Sequence, residues 1–256
     1  MASDGGILDG LARRRSLRAW TRAARGAEDA ALPDLRRQID AARGLRAQLD
    51  RLIHTGEARL AGTAAGDAVP KSRPGTDWWW RPELWDGPLD APGMASVPAG
   101  SALGAQARLF HDCPRAEIAL RQVRNRCAAG FAPYALQADV FGFDGSYLSL
   151  ALEVPDAAAQ GLQKRHVIAV EAAIETERPL EVFVRLNIRH GPNTEQLVRE
   201  VTPGADPAVA EFDLAYTRLN DRRTERLWVD LIFERPAMTQ IVLRDVTMSR
   251  RVRAQI

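Results

Sequence analysis

The side chains with the clearest capacity for recognition lie in and just after one predicted strand. Arg185, Asn187 and Arg189 alternate along that strand, and His190 and Asn193 follow in the loop. Successive side chains of a strand point to opposite faces, so the first three share a face. Guanidinium and amide groups are planar donors that bind carboxylates, phosphates or sugar hydroxyls. The row is therefore a candidate ligand surface, an intermolecular contact or an internal anchor.

Four tryptophans lie close together in a segment rich in proline and glycine. They are Trp78, Trp79, Trp80 and Trp85. Proline prevents long regular structure there, so the indole rings need either a core to pack against or a partner. Tryptophan is favoured both at protein interfaces and where an amphipathic ring meets a ligand. We expect the segment to wrap around its own domain, with an interface or sugar stacking as the alternatives.

The sequence contains no motif for catalysis or for metal binding. It has no G-x-S-x-G, no P-loop and no H-E-x-x-H. His111, Asp112 and Cys113 are adjacent, but neighbouring side chains of an extended segment point apart and converge only at a turn. Cys113 and Cys127 are the two cysteines, and their spacing matches no zinc pattern. We therefore predict no enzyme activity, no metal and no cofactor, with buried thiols favoured over a disulfide.

A period-two alternation of apolar and polar residues predicts the elements that position these side chains. In YLSLALEV (147–154), every second residue from Leu148 onward is leucine or valine. In VFVRLNI (182–188), every second residue from Val182 onward is valine, leucine or isoleucine. A period of two is typical of strands with one buried face. The expected strands are 106–110, 117–124, 134–143, 146–154, 165–172, 181–189, 209–217, 226–234 and 240–248. They predict a mainly β fold, an antiparallel β-sandwich resembling a jelly roll.

Two helices are predicted to precede the sandwich. Residues 7–26 carry an apolar stripe beside many arginines, and Pro33 suits the first turn of a second helix. The first helix has either a solvated arginine face or a surface that docks on an acidic partner or an anionic membrane. In the docking alternative the residues that form this arm surface are Arg13, Arg14, Arg15, Arg18, Trp20 and Arg22.

Composition and charge restrict the class of protein. The hydrophobic share is 46% and the charged share 27%, as in soluble globular proteins. A net charge of +2 is too small to indicate direct nucleic-acid binding. No apolar run is long enough to span a membrane, so no transmembrane segment is expected. The first residues lack the order of a secretory signal, and we expect synthesis in the cytoplasm.

These observations predict a chain in three parts. Residues 1–60 form an arginine-rich helical arm, and residues 61–105 form a linker and wrapping segment rich in proline, glycine and tryptophan. Residues 106–256 form the β-sandwich domain.

Several stretches resemble an uncharacterised alphaproteobacterial protein family. They are TDWWWRPELW, LFHDC, FGFDGSYLSL, VFVRLNIRHGPNTEQLVRE, EFDLAYTRLN, WVDLIFERP and IVLRDVTMSRR, and the resemblance covers most of residues 33–256. The family is expected to include the head-spike base protein of phage-like gene transfer agents. The resemblance implies a jelly roll, an arm that grips a capsid, a homo-oligomer with cyclic symmetry, and other particle proteins as partners. It also implies a virion-like particle released by lysis.

Three functional hypotheses remain at this point. The leading one is a non-enzymatic structural and adhesion component of a virus-like particle, which anchors a spike or fibre at the capsid vertex. The alternative is a carbohydrate-binding module that recognises surface polysaccharide through the tryptophans and through Arg185, Asn187 and Asn193. The third, a polysaccharide hydrolase, needs two carboxylates that flank a bond at a set separation, and no motif here supplies such a pair.

Overall fold

A computed structural model describes residues 6–65, 75–125, 132–205 and 207–253 of the chain. Contacts divide the chain into two compact units, Met1–Gly56 and Glu57–Ile256. The first unit is helical and the second contains all of the described strands.

The helical unit contains helix α1 (Gly6–Arg25) and most of helix α2 (Leu32–Ala65). Both helices were predicted, but α2 continues five residues into the predicted linker before the described residues stop. The remainder of that linker, residues 66–74, lies outside the described residues. Several large apolar side chains of α2 are exposed; they are Leu32, Ile39, Leu45, Leu49, Leu52 and Ile53.

The β unit is an antiparallel β-sandwich, as the alternating pattern predicted. Its strands are β1 (Thr76–Trp80), β2 (Gly93–Ala95), β3 (Ser101–Leu103), β4 (Ala107–His111), β5 (Ile118–Arg124), β6 (Tyr134–Val140), β7 (Tyr147–Glu153), β8 (His166–Thr176), β9 (Val182–His190), β10 (Asn193–Val201), β11 (Ala208–Asp213), β12 (Thr224–Glu234) and β13 (Thr239–Val252). A short helix α3 (Glu83–Asp86) follows β1, and single 3-10 turns occupy Asp156–Ala158 and Leu214–Tyr216.

Two sheets form the sandwich. A seven-stranded sheet has the order β11-β8-β13-β6-β5-β2, and β1 pairs with the C-terminal part of β13. A six-stranded sheet has the order β10-β9-β12-β7-β4-β3. The last two strands of the chain therefore lie inside the sheets, because β12 separates β7 from β9 and β13 separates β6 from β8.

The core lies between the sheets and contains the apolar half of each alternating strand. Val182, Val184, Leu186 and Ile188 of β9 have no exposed surface. The opposite face of β9 carries its polar residues, which places them on the outer surface of the six-stranded sheet. The period of two thus determines which side chains are available to a ligand.

Two parts of the sandwich differ from the expectation. Residues 193–201 (NTEQLVREV) form β10, although no strand was expected between 189 and 209. As an edge strand that is largely exposed, β10 needs no apolar face of its own. Strands β1, β2 and β3 lie in the predicted wrapping segment, so the sheets begin at Thr76 rather than at residue 106.

Candidate functional site

The outer face of the six-stranded sheet carries an open groove of about 780 Å³. Three neighbouring strands, β4, β7 and β12, supply most of its surface, and Arg185 of β9 extends it. The residues that line the groove are Arg108, Phe110, Ser146, Tyr147, Ser149, Ala151, Glu153, Arg185, Trp228, Asp230, Ile232, Glu234 and Arg235.

The groove exists because small side chains follow the middle strand while large ones flank it. Ser149 and Ala151 are the central outward residues of β7. On one side Phe110 pairs with Ser149, and on the other side Ile232 pairs with the same serine. Directly opposed residues in antiparallel strands stand side by side, so the larger side chains form walls above a low floor.

Aromatic rings occupy the walls and one end of the groove. Phe110 is 39% exposed and Tyr147 38% exposed. Trp228 is half-buried, and the Arg226 guanidinium lies 5.6 Å from the centroid of its ring. These rings offer apolar faces to a ligand that lies along the groove.

A hydrogen-bonded polar network lies beside Trp228. Arg185 Nε and Asn187 Nδ2 both donate to Oδ2 of Asp230, at 2.9 and 2.8 Å. Gln196 Nε2 donates to Oδ1 of Asn187 at 3.0 Å. Asp230 is 4% exposed and Asn187 is fully buried, so the network is held rigidly at the groove surface.

The groove contains charges of both signs, and most of its acids have an arginine partner. Arg226 forms a two-pronged ion pair with Glu153, and that hydrogen bonding raises the pKa of Arg226. Asp230 is paired with Arg185. The ion pairs therefore hold the polar side chains in fixed orientations, and the groove carries no strong excess of either charge.

The row of residues predicted along β9 is divided between several environments. Arg185 lines the groove, and Asn187 lies buried behind it. Arg189 forms an exposed ion pair with Glu225 at 3.3 Å, His190 is 5% exposed, and Asn193 begins β10 at the surface. Of the five predicted residues, the structure brings Arg185 and Asn187 together at the groove.

The predicted tryptophan cluster lies away from the groove. Trp85 has no exposed surface and its Nε1 donates to the Leu243 carbonyl at 2.9 Å, so its assignment as a ligand or interface residue is corrected to a core role. Trp78 and Trp80 stack at 6.5 Å and pack partly buried against the core. Trp79 is half-buried, with Arg81 at 5.4 Å from its ring. The wrapping interpretation describes this segment best.

Polar contacts hold the same segment against the last strand. Arg81 donates two hydrogen bonds to Asp245, at 2.9 and 2.7 Å, and both side chains are 15% exposed. Arg250 donates to both carboxylate oxygens of Asp77 at 3.0 and 3.1 Å. A pair of this fork-to-fork kind fixes orientation as well as distance.

His111, Asp112 and Cys113 serve the structure of a loop. Asp112 accepts bonds from the Ser146 hydroxyl and from the backbone N–H groups of Ser146 and Tyr147, and the Ser146 hydroxyl is the main cause of its lowered pKa. Cys113 is a buried free thiol that donates to Asp144 at 2.9 Å. Cys127 lies outside the described residues. Within the described ranges, no group of three His, Cys, Asp or Glu side chains is placed to hold a metal ion.

The arginines predicted as a docking surface lie on α1. Arg13, Arg14, Arg15, Arg18 and Arg22 are exposed, whereas Trp20 is half-buried. Among the described helices, none combines the length and the apolar character that a membrane span requires.

Sequence reasoning missed most of the groove. Phe110, Tyr147 and Trp228 were not selected, although Trp228 lies on the polar side of the alternation in RLWVDLIFE. An indole on the outward face of a strand is the signal that could have found the site. Ser149 and Ala151 carried no signal, because small residues are common on any strand.

Comparison with known sequences identifies the family over the whole chain. Residues 1–256 match DUF6478, a family of unknown function. The chain belongs to DUF6478. No curated protein matches this DUF6478 chain.

Solved structures similar to the DUF6478 chain include sugar-binding modules and a phage protein. The enzymatically active domain of tailspike protein 4 of bacteriophage CBA120 is 7% identical over 60% of this chain, with a TM-score of 0.40. The DUF6478 chain spans 21% of that tailspike domain. A family 11 carbohydrate-binding module from Clostridium thermocellum, in complex with a mixed-linked tetrasaccharide, is 12% identical over 64% of this chain and 99% of its own, with a TM-score of 0.39. A putative sugar binding protein from Bacteroides thetaiotaomicron is 10% identical over 63% and 95%, with a TM-score of 0.37.

Proposed function

We propose that the DUF6478 chain is a carbohydrate-binding module that binds a polysaccharide in the groove of its six-stranded sheet. The observation that carries the proposal is the combination, in one open groove, of exposed aromatic rings with a fixed polar network. This is the alternative considered from the sequence; Arg185 and Asn187 are retained, and Trp228, Tyr147 and Phe110 take the place of the predicted tryptophans.

The chemistry of the groove suits a saccharide. A pyranose ring has apolar C–H faces that pack on aromatic rings and hydroxyls that need both donors and acceptors. Trp228, Tyr147 and Phe110 supply the first kind of contact, while Asp230 and Arg185 supply the second. Binding sites generally combine apolar walls with a few well-placed polar groups in this way.

The shape of the groove suits a chain rather than a single sugar. The outward positions of β7 run from Tyr147 to Glu153, which corresponds to about 20 Å at the rise of an antiparallel strand. A volume of about 780 Å³ lies within the range of sites for drug-sized ligands. An extended oligosaccharide of several units matches both dimensions.

Binding without hydrolysis is the form of the proposal that the groove supports. A glycosidase needs one carboxyl group that donates a proton and a second that acts as base or nucleophile. Glu153 and Asp230 are each the anionic partner of an arginine. Such carboxylates serve as hydrogen-bond acceptors for hydroxyls.

The test is a binding titration with a polysaccharide panel. Mixed-linkage β-glucan, xylan, β-1,4-galactan and bacterial capsular polysaccharide are titrated into the full chain by calorimetry. Trp228→Ala is expected to weaken binding at least about tenfold, as for a central aromatic contact. Tyr216→Ala is the matched control, since Tyr216 is 81% exposed and lies outside the groove lining. Equal affinities for the wild type and Trp228→Ala, or no binding to any polymer, would refute the proposal.

A second proposal concerns the place where the module acts. The separate helical unit presents five exposed arginines on α1 and exposed apolar side chains on α2, which favours an attachment role. In this proposal the helices join the module to a virus-like particle as part of a head spike. Replacement of the five arginines by glutamine should remove the protein from purified particles and leave sugar binding unchanged. Normal incorporation of that variant would count against it.

A further inference from the structure

The Asp230–Arg185 pair leaves hydrogen-bonding capacity unused at the groove. Both bonds that Asp230 accepts end on Oδ2, and within the described residues its Oδ1 accepts none. Arg185 donates through Nε, and in the same part of the chain its two terminal amino groups make no hydrogen bond. An acceptor and two donors are thus held next to each other, and Arg185 is about one-third exposed.

Asn187 fixes the orientation of this pair. It is fully buried, donates to Asp230 at 2.8 Å, and contacts the Arg185 and Trp228 carbonyls at 3.4 Å. Its own oxygen accepts from Gln196 at 3.0 Å. Because one carboxylate oxygen of Asp230 accepts both hydrogen bonds, the other is left as a free acceptor.

A second observation also indicates a missing ligand. Ser149 is 4% exposed and lines the groove, yet its hydroxyl has no hydrogen-bond partner in the described part of the chain. It occupies β7 next to Ala151, which is the residue directly opposite Asp230. Buried hydroxyls are normally paired, so an unpaired one at a groove floor is informative.

The geometry selects a particular chemical group. In a saccharide, the group that donates to Oδ1 and, from an adjacent atom, accepts from the guanidinium is a pair of neighbouring hydroxyls. A carboxylate or phosphate would satisfy Arg185 but would be repelled by Asp230. We propose that the Asp230–Arg185 pair recognises the vicinal diol of a sugar unit, and that Asn187 is its positioning residue. This inference rests on the proposed polysaccharide binding.

Linkage isomers test the inference without changing the sugar. Internal units of β-1,4-linked hexasaccharides of glucose or xylose have free hydroxyls on carbons two and three, whereas β-1,3-linked internal units have no adjacent free pair. The wild type should bind each β-1,4 isomer at least about tenfold more tightly than its β-1,3 isomer, given two charge-assisted hydrogen bonds. Equal binding, or preference for the β-1,3 isomers, overturns the inference.

Variants separate diol recognition from the shape of the chain. In Asp230→Asn the amide oxygen takes the position of Oδ2, where Arg185 and Asn187 donate, and a donor replaces the acceptor Oδ1. The preference for β-1,4 isomers should therefore disappear in Asp230→Asn, and should be reduced in Asn187→Ala. Persistence of the full preference in Asp230→Asn overturns the inference, because shape alone would then explain it.

The outcomes distinguish the two proposals. If Trp228→Ala loses binding while Asp230→Asn keeps both affinity and preference, the sugar-binding proposal stands and the diol inference fails. If the wild type binds polymers of the panel but none of the four hexasaccharides, the diol inference fails and the sugar-binding proposal stands. If the wild type binds no saccharide at all, both fail. Thermal unfolding of each variant, compared with the wild type, verifies that a loss of binding does not come from loss of the fold.

Discussion

Replacement of Trp85 by alanine is expected to destabilise the β unit more than any other change in the tryptophan-rich segment. The side chain has no exposed surface and packs in the core beside Leu84. Truncation of a buried tryptophan to alanine costs about 3–5 kcal/mol in lost burial and cavity formation. The lost bond from Nε1 to the Leu243 carbonyl belongs to the same change, so we expect the upper part of this range.

Trp85→Phe removes the hydrogen bond while it keeps an aromatic ring in the core. Phenylalanine keeps an aromatic ring but leaves the buried Leu243 carbonyl without this donor, at a cost of about 1–3 kcal/mol. Trp79→Ala is the matched control in the same segment, because Trp79 is half-buried and contacts Arg81 through its ring face. We expect a loss below about 2 kcal/mol for the control.

Urea denaturation of the full chain, followed by circular dichroism, measures these differences. For a unit of about this size, each kcal/mol also lowers the melting temperature by about 2–4 °C. The reasoning is refuted if Trp85→Ala costs no more than Trp79→Ala. A Trp85→Phe variant as stable as the wild type would show that the indole N–H contributes nothing.

Three further predictions follow from local contacts. Burial is the main cause of the lowered pKa of His166, and the nearby Asp77 acts in the opposite direction. The unfolded state therefore binds a proton more readily than the folded state. The contribution of His166 to stability is present above about pH 6.5 and is lost as the pH falls below that value. His166→Asn should reduce the difference in urea midpoint between about pH 7.5 and about pH 5.5, and an unchanged difference would contradict this. Gly145→Ala should destabilise the β unit by about 1–3 kcal/mol in urea titrations. The reason is that the Cβ of the new alanine would collide with Asp112 and lie 2.9 Å from the Cys113 nitrogen. A variant as stable as the wild type would show that the loop can shift freely. Gly44→Ala in α2 has open space around it, so helicity by circular dichroism should rise and the helix should gain about 1 kcal/mol, whereas a loss of helicity would indicate a contact at that position.

The sandwich was predictable because alternation is a property of the sequence itself. Every strand with one fully apolar side, such as β7, β9 and β12, was found with boundaries within a few residues. Strand β10 was not, since an exposed edge strand carries polar residues on both faces. The short strands β1–β3 were hidden by proline and glycine, and pairing with distant strands determines them.

The groove was less predictable because it depends on which residues of neighbouring strands are paired. Alternation places Arg185 and Asn187 on an outward face, but it does not show that Asp230 pairs with Arg185 across β12 and β9. Three consecutive tryptophans and Trp85 drew attention to residues 78–85, whereas the single Trp228 lies in the groove. A local cluster in sequence is a weaker guide to a site than the alignment of strands.

The order in which the strands are made has a consequence for biogenesis. Strands β12 and β13 follow every other described strand in the sequence, yet each occupies the interior of its sheet. Until they emerge, β7 and β9 lack their shared neighbour, and β1, Arg81 and Trp85 lack the strand that binds them. Such long sequence separations slow folding, so we expect the nascent β unit to remain incomplete, and dependent on chaperones, until β13 has emerged. Ribosome-bound chains that stop before Thr239 should therefore be protease-sensitive throughout the β unit.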